Sequence, residues 1–215
     1  IGAAVTGFYE LVKLPEGIDE SYVEPRARMR PIVIEGGAHQ KEEPEVLGAR
    51  APYLPLVMRP DVLVFQTEVL TDDVEVTGPM TVTLHVSSSA PDTDFTAKLV
   101  DVYPPSDDYP GGYHLNLCDS IIRARYRASW TQPRFMEPGQ IYVVKIRLPP
   151  ISNLFKAGHR IRLDVSSSNF PRFDVNPNTG EAMGRHTRMD RALNTVHLDA
   201  EHPSTIVLPT VPAQR

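Results

Sequence analysis

Residues that can bind a metal ion are densest in one short run near the C-terminus. His197, Asp199, Glu201 and His202 place two imidazoles and two carboxylates within six residues, a donor set that suits a divalent transition metal. On a β-strand, His197 and Asp199 point to one face and the residue between them to the other, and Pro203 ends the run. Because a solvated loop after a strand explains the same residues, we predict no metal site here.

The motifs that nucleophilic or nucleotide chemistry requires are missing from the sequence. No serine stands between two glycines in the G-x-S-x-G pattern of a nucleophile elbow. Neither Gly36-Gly37 nor Gly111-Gly112 opens a helix, so neither predicts a phosphate-binding loop. H-E-x-x-H and C-x-x-C are also absent. The sequence therefore predicts no catalytic residue and no cofactor.

Arginines form a second pattern with chemical potential. Arg123, Arg125 and Arg127 alternate with apolar residues, which on a strand puts three guanidinium groups on one face. Such a ladder binds a polyanion or, more commonly, pairs with carboxylates of a neighbouring strand or domain. Residues 160–164 provide a suitable neighbouring ladder. The acidic turn at 92–94 is typical of backbone caps and only weakly indicates calcium.

The segment 168–180 carries the most information. It contains two aromatic residues, an arginine, an aspartate and three asparagines between prolines, and it ends in Gly180. Asn and Asp side chains bond to their own backbone and proline removes freedom, so the composition predicts an ordered loop. Ordered loops on a rigid scaffold commonly bind a ligand or another domain. A loop that satisfies only itself is the alternative.

Composition limits the class of protein that must position these residues. The chain has 215 residues, 41% hydrophobic residues, one cysteine and a net charge of −5, which is enough for a large core without a disulfide. The acidic balance argues against nucleic-acid partners, and no apolar run reaches the roughly 20 residues of a membrane helix. The 21 prolines disfavour helices and favour strands and turns.

Apolar and polar residues alternate with the period of half-buried strands. The clearest runs are 80–86, 122–126, 142–148 and 161–165, and further strands are predicted at 62–67, 95–102, 113–117, 193–198 and 205–208. Turn residues, such as those at 77–79 and 137–139, separate them. Many strands with one apolar face each require two packed sheets, so we predict an all-β jelly roll. An immunoglobulin-like sandwich is the alternative.

Two strand ends have nearly the same sequence. Residues 84–89 are Leu-His-Val-Ser-Ser-Ser and residues 163–168 are Leu-Asp-Val-Ser-Ser-Ser. Each is followed by a loop with an aromatic residue and an aspartate. We predict that the two serine triplets lie at the same end of the sandwich, which would bring the loops at 92–95 and 169–172 together.

Several long segments resemble one known family. One of them, residues 87–102, reads Ser-Ser-Ser-Ala-Pro-Asp-Thr-Asp-Phe-Thr-Ala-Lys-Leu-Val-Asp-Val, and the others are 61–67, 73–79, 152–162, 168–172, 176–180 and 201–209. Together they resemble the C-terminal domain of the cocaine esterase and X-Pro dipeptidyl-peptidase family, over roughly residues 31–212.

This resemblance implies a galactose-binding-like jelly-roll β-sandwich at 31–215, preceded by an extension or linker at 1–30. It also implies an α/β-hydrolase domain in the same polypeptide, which holds the catalytic serine, acid and histidine of an acyl esterase or X-Pro dipeptidyl-peptidase. None of those residues is expected in this chain. The absence of an initiator methionine also suggests a piece of a longer protein, and the single cysteine slightly favours a cytoplasmic location.

The resemblance further implies a domain that covers one side of the hydrolase cleft. We predict contacts from three loops. For Trp130 and Phe135, in a proline-flanked connection, we predict interior positions, and a contact with the hydrolase domain is the alternative. A carbohydrate-binding module and a self-associating module that forms homo-oligomers are the alternatives. The predicted contact residues are Asn169, Phe170, Pro171, Arg172, Asp92, Asp94, Phe95, Gly36, Gly37, His39 and Gln40.

Overall fold

The described part of the chain is all-β. A computed structural model describes residues 4–5, 55–170, 172–182 and 184–212. Over these residues it contains two antiparallel sheets and two short 3-10 helices, Leu56–Met58 and Ala124–Tyr126. Neither helix is long and apolar enough to cross a membrane.

Ten strands make up the two sheets. They are β1 (Ala4–Val5), β2 (Val62–Gln66), β3 (Val74–Ser88), β4 (Asp94–Tyr103), β5 (Tyr113–Arg123), β6 (Tyr142–Phe155), β7 (Arg160–Ser166), β8 (Asn194–His197), β9 (Thr205–Val207) and β10 (Thr210–Val211). In the first sheet, β3 pairs with β6 along one side and with β8, β9 and β10 along the other, while β1 pairs with β9. The second sheet has the order β2-β7-β4-β5.

The hydrophobic core lies between the sheets. It includes Leu84 of β3, Ile146 of β6, Phe95 and Leu99 of β4 and Leu163 of β7, all of which are buried. Their period-two spacing is the one that the sequence predicted, and it places charged neighbours on the outer faces. The described residues therefore form a β-sandwich, as expected.

The turn predicted at 77–79 is wrong. These residues lie inside β3, where the pairing with β6 shifts between Gly78 and Met80 to form a bulge. Gly78 has a φ of 133°, a value that L side chains rarely adopt. The register of β6 skips Pro149 and Pro150 opposite this bulge, so the missing proline N–H groups cost no ladder hydrogen bond.

The strand predicted at 122–126 is only partly correct. β5 ends at Arg123, and the chain turns into the 3-10 helix as the Ala124 N–H donates to the carbonyl of Thr93 at 2.9 Å. The three arginines therefore do not form a ladder on one face of a strand. The hydrogen-bond partners of these arginines are also not in residues 160–164, where the sequence predicted them.

The two serine triplets lie at the same end of the sandwich, as predicted. Ser88 is paired with Asn194 of β8. Nδ2 of Asn194 donates to Ser167 Oγ at 2.7 Å and to Thr93 Oγ1 at 2.9 Å. The triplets belong to opposite sheets, and this amide joins them. We call this end, where β3 and β7 finish and β4 begins, the serine end.

Candidate functional site

A buried ion pair anchors the loop between β3 and β4 at the serine end. Asp92 accepts hydrogen bonds from the backbone N–H and the Nε of Arg125, at 2.9 and 2.8 Å. Nδ2 of Asn176 donates to the same carboxylate at 2.8 Å, and Nη2 of Arg125 donates to the carbonyl of Glu181 at 3.0 Å. Because Asp92 and Arg125 are both buried, removing either would leave the other charge uncompensated.

A second ion pair lies beside the first. Nε and Nη2 of Arg123 donate to the two oxygens of Asp94, both at 2.9 Å, in a bidentate arrangement. Asn176 Nδ2 also donates to Asp94 at 2.8 Å and so joins the two carboxylates. Burial raises the pKa of Asp94, and the hydrogen bonds from Arg123 oppose that shift. Asp92, Asp94, Arg123, Arg125 and Asn176 are the polar network.

The polar network connects three chain segments. Asp92 and Asp94 come from the link between the sheets, Arg123 and Arg125 from the end of β5 and its 3-10 helix, and Asn176 from the long connection between β7 and β8. The network therefore fixes these segments relative to one another. Ordered connections of this kind can present a surface without refolding when a partner docks.

A row of charged side chains crosses the outer face of the four-stranded sheet. Lys98 of β4 lies in register with Asp119 of β5 on one side and with Asp164 of β7 on the other. Nη1 of Arg172 is 2.6 Å from Asp119. Nε and Nη2 of Arg162 are 2.9 and 3.1 Å from the oxygens of Asp164. Each carboxylate in the row therefore has an arginine partner.

The charge balance of this row favours a neutral amine. Two carboxylates and two guanidinium groups already sum to zero, and Lys98 is only 2% exposed. Desolvation lowers the pKa of Lys98 from 10.5 to about 7, although Asp164 and Asp119 oppose the shift. A buried cation with this pKa costs stability wherever it is protonated in the folded protein.

Replacing Lys98 by methionine should make stability less dependent on pH. Between pH 7 and 10.5 the unfolded chain binds more protons at this residue than the folded one, so the free energy of unfolding rises with pH. The slope is at most about 1.4 kcal/mol per pH unit. Urea unfolding at pH 7, 8 and 9 should show this slope in the parent chain and a smaller slope in Lys98→Met. Lys156→Met, at an exposed ion pair, is the matched control, and identical slopes in all three proteins would refute the assignment.

The predicted contact loop at 169–172 is attached to the charged row. Asn169 Nδ2 donates to Asp119 at 3.0 Å, and the Asn169 carbonyl accepts a hydrogen bond from the Phe173 N–H at 3.1 Å. Arg172 reaches Asp119 from a half-exposed position and lies over the ring of Phe173, with its Cζ 5.6 Å from the centroid. The described residues of this loop are thus attached to the outer face of the four-stranded sheet through Asp119.

The predicted contact residues divide into two groups. One group is buried, and its side chains cannot contact another domain directly. It consists of Asp92, Asp94, Phe95 and Asn169. Phe170 is partly exposed and Arg172 is exposed. The other predicted residues, Pro171, Gly36, Gly37, His39 and Gln40, lie outside the described residues.

Large apolar side chains are exposed at the serine end. Trp130 is 80% exposed and Leu193 is 76% exposed, with Phe135 and Met189 about half exposed. The interior positions predicted for Trp130 and Phe135 are therefore wrong. The proline-flanked loop around Trp130 runs over the surface, and Arg125 lies 5.1 Å from the Phe135 ring centroid.

Two of these exposed residues, Phe135 and Leu193, lie at or beside positions that hydrogen-bond to the stretch 89–91. The Met136 N–H donates to the carbonyl of Pro91 at 2.8 Å, and Ser89 and Leu193 exchange hydrogen bonds at 3.0 and 2.9 Å. We call Trp130, Phe135, Met189 and Leu193 the apolar group. Exposed large apolar side chains on ordered loops are typical of a protein contact surface.

The histidine run near the C-terminus forms local contacts. His202 Nδ1 lies 2.9 Å from Asp199, and His197 Nε2 lies 3.0 Å from the hydroxyl of Ser87. Within the described ranges, no three His, Cys, Asp or Glu side chains are arranged to hold a metal ion.

Comparison with known proteins places the chain in a family. A family model described as the X-Pro dipeptidyl-peptidase C-terminal non-catalytic domain matches residues 31–207. The chain belongs to this family. The chain is 52% identical over 159 residues to a cocaine esterase from Rhodococcus sp. (strain MB1 Bresler), covering 73% of this chain and 27% of the esterase.

Two solved structures resemble this C-terminal domain in sequence and fold. An alpha-amino acid ester hydrolase is 37% identical with a TM-score of 0.67, covering 71% of this chain and 26% of the hydrolase. An aminopeptidase from the marine sediment archaeon Thaumarchaeota archaeon is 34% identical with a TM-score of 0.68, covering 72% of this chain and 26% of the aminopeptidase. The chain thus spans about a quarter of the length of these relatives, in which the domain is joined to a catalytic domain in one polypeptide.

Proposed function

We propose that this non-catalytic domain packs, through the apolar group at its serine end, on an α/β-hydrolase domain of the same polypeptide. The observation that carries the proposal is the 80% exposure of Trp130 on a loop that the protein otherwise holds in place. A large aromatic side chain without cover is a typical anchor of a protein interface. Covering one side of the hydrolase would let the domain help shape the substrate cleft.

The loop that carries Trp130 is held firmly enough to serve as a docking element. Nη1 of Arg127 donates to the carbonyl of Ala124 at 2.9 Å, and Nη2 donates to that of Phe135 at 3.2 Å. The same guanidinium lies over the Tyr142 ring at 4.1 Å. Less conformational entropy is lost when such a preformed loop binds.

The names of the relatives support a proposal for the chemistry of the whole polypeptide. They are named as a cocaine esterase, an amino acid ester hydrolase and an aminopeptidase. We propose that the polypeptide containing this chain cleaves an ester or a peptide bond, dipeptidyl-peptidase activity included, through an acyl-enzyme formed on a serine of the hydrolase domain.

We also propose that the sandwich is a jelly roll of the galactose-binding-like type. The chain alternates between the sheets from β2 to β3 to β4, and again from β5 to β6 to β7 to β8. Among the described strands, only β4 and β5 follow one another in the chain and pair within one sheet. Alternation of this kind is what two interleaved Greek keys require.

The 215-residue chain alone should not turn over p-nitrophenyl acetate or p-nitrophenyl butyrate above the buffer rate, because it lacks a nucleophile elbow. It should also remain unlabelled by a fluorophosphonate serine probe. A characterised serine esterase serves as the positive control under the same conditions. Turnover that a serine probe abolishes would show that the chain is itself an enzyme and would overturn the proposal.

A further inference from the structure

A cluster of tyrosines lies at the end of the sandwich opposite the serine end. Tyr103 closes β4 and Tyr113 opens β5, and the two are register partners whose ring centroids are 6.0 Å apart. Tyr109, on the loop between these strands, lies 4.6 Å from Tyr113. Tyr103 and Tyr109 are 37% and 45% exposed. We call Tyr103, Tyr109 and Tyr113 the tyrosine platform.

The loop that carries the platform is rigid. The Ser106 N–H donates to the Tyr109 carbonyl at 3.0 Å, and the Tyr109 N–H donates to the Ser106 hydroxyl at 3.1 Å. Gly112 closes the loop with a φ of 80°, and a Cβ there would meet the Tyr103 carbonyl at 2.7 Å. Three prolines, at 104, 105 and 110, restrict the remaining backbone.

A buried contact between a histidine and an aspartate supports the platform from below. The ring of Tyr103 lies 4.2 Å from that of His159, and Nδ1 of His159 is 2.8 Å from a carboxylate oxygen of Asp101. Both His159 and Asp101 are buried. Desolvation raises the pKa of Tyr103 and of Tyr113, so their hydroxyls remain protonated donors at neutral pH.

We propose that the tyrosine platform binds pyranose rings of a neutral polysaccharide. Tyrosine provides a wide, rigid surface for the C–H face of a sugar, together with a hydroxyl that hydrogen-bonds its edge. Asp107 and Asp108, both exposed on the same loop, add carboxylate acceptors for vicinal hydroxyls. The same carboxylates and the net charge of −5 repel acidic polymers.

The ring geometry argues against a cation as the ligand. An aromatic cage for an ammonium group needs rings that face each other across a gap. Here neighbouring rings meet at interplanar angles of 59° and 84°, with centroids 4.6 and 6.0 Å apart. The partly exposed Tyr103 and Tyr109 therefore offer separate ring faces instead of an enclosure.

The platform is separate from the proposed docking surface, so this inference goes beyond the proposed function. β4 runs from the serine end at Asp94 to the platform at Tyr103, and its ten residues span roughly 30 Å. A hydrolase domain that covers the apolar group would leave this end free. The two proposals can consequently fail independently.

Affinity electrophoresis tests the inference directly. The 215-residue chain is run in native gels containing soluble starch, galactomannan, xyloglucan or mixed-linkage β-glucan. We expect at least one polysaccharide to retard the chain, and Tyr109→Ala to weaken that retardation by at least about tenfold in dissociation constant. Tyr109→Phe keeps the stacking face and should retain most of the binding. Trp130→Ala, at the other end, is the control and should bind normally.

Two results would overturn the inference. One is no retardation by any of the four polysaccharides. The other is retardation that Tyr109→Ala leaves unchanged, which would place the polysaccharide site away from the platform. Circular dichroism of each variant verifies that the fold is intact.

Discussion

Asp92→Ala should lower the free energy of unfolding of this domain by about 3–5 kcal/mol, the usual cost of breaking a buried ion pair. The substitution leaves the Arg125 guanidinium buried with the Glu181 carbonyl, 3.0 Å from Nη2, as its remaining hydrogen-bond acceptor among the described residues. It also removes one of the two carboxylates that Asn176 joins. Urea unfolding monitored by circular dichroism measures the change.

The ion pair at Asp73 provides the control. Its partner Lys156 is more than half exposed, so Asp73→Ala should cost much less stability than Asp92→Ala. The double variant Asp92→Ala, Arg125→Met should recover part of the loss, because it no longer buries an uncompensated cation. Equal effects of Asp92→Ala and Asp73→Ala would show that the polar network does not hold the serine end together.

Trp130→Ala should open the contact between this domain and the hydrolase domain in the full-length polypeptide. Truncating an interface anchor costs about 2 kcal/mol or more, which is a roughly 30-fold change in the docking equilibrium. The result should be faster hydrogen exchange in the segment 189–193. Since Trp130 is 80% exposed in the domain itself, the free energy of unfolding of the isolated chain should change by less than about 0.5 kcal/mol.

Tyr109→Ala removes an exposed aromatic side chain at the opposite end and should leave the docking equilibrium unchanged. Two outcomes would contradict the proposed role of Trp130. In one, exchange in the full-length variant equals that of the parent protein. In the other, Trp130→Ala lowers the free energy of unfolding of the isolated chain as much as that of the full-length protein. Trp130 would then stabilise the domain itself and not the contact. Concentration-dependent light scattering of the isolated chain would also reveal whether the apolar group causes self-association instead.

The strands could be predicted because alternation is a local property. The cores of β3, β6 and β7 lie where period-two spacing placed them. The bulge at Gly78 and the passage of β6 through two prolines could not be foreseen, because glycine and proline signal a turn unless a partner strand has a matching irregularity. That partner is set by tertiary pairing, which the local sequence does not contain.

The site was harder to predict because its residues meet across strands. Lys98 is a single cation in an apolar run, and only the pairing of β4 with β5 and β7 places it between Asp119 and Asp164. The arginine pattern correctly suggested carboxylate partners. The carboxylate that it indicated, in residues 160–164, is not the observed partner. The reason is that the chain leaves the strand at Arg123 and turns Arg125 toward Asp92. The exposure of Trp130 depends on the path of its loop, which the alternation of apolar and polar residues does not predict.

Hydroxyl-radical footprinting of the full-length polypeptide and of the 215-residue chain tests the docking surface most directly. Oxidation rates of Trp130, Phe135 and Met189 report their exposure in each protein, and Tyr109 at the far end is the internal reference. The account predicts strong protection of the three apolar residues in the full-length polypeptide, with Tyr109 oxidised equally in both proteins. Equal oxidation of Trp130 in both proteins would contradict it, because the serine end would then remain uncovered when the hydrolase domain is present.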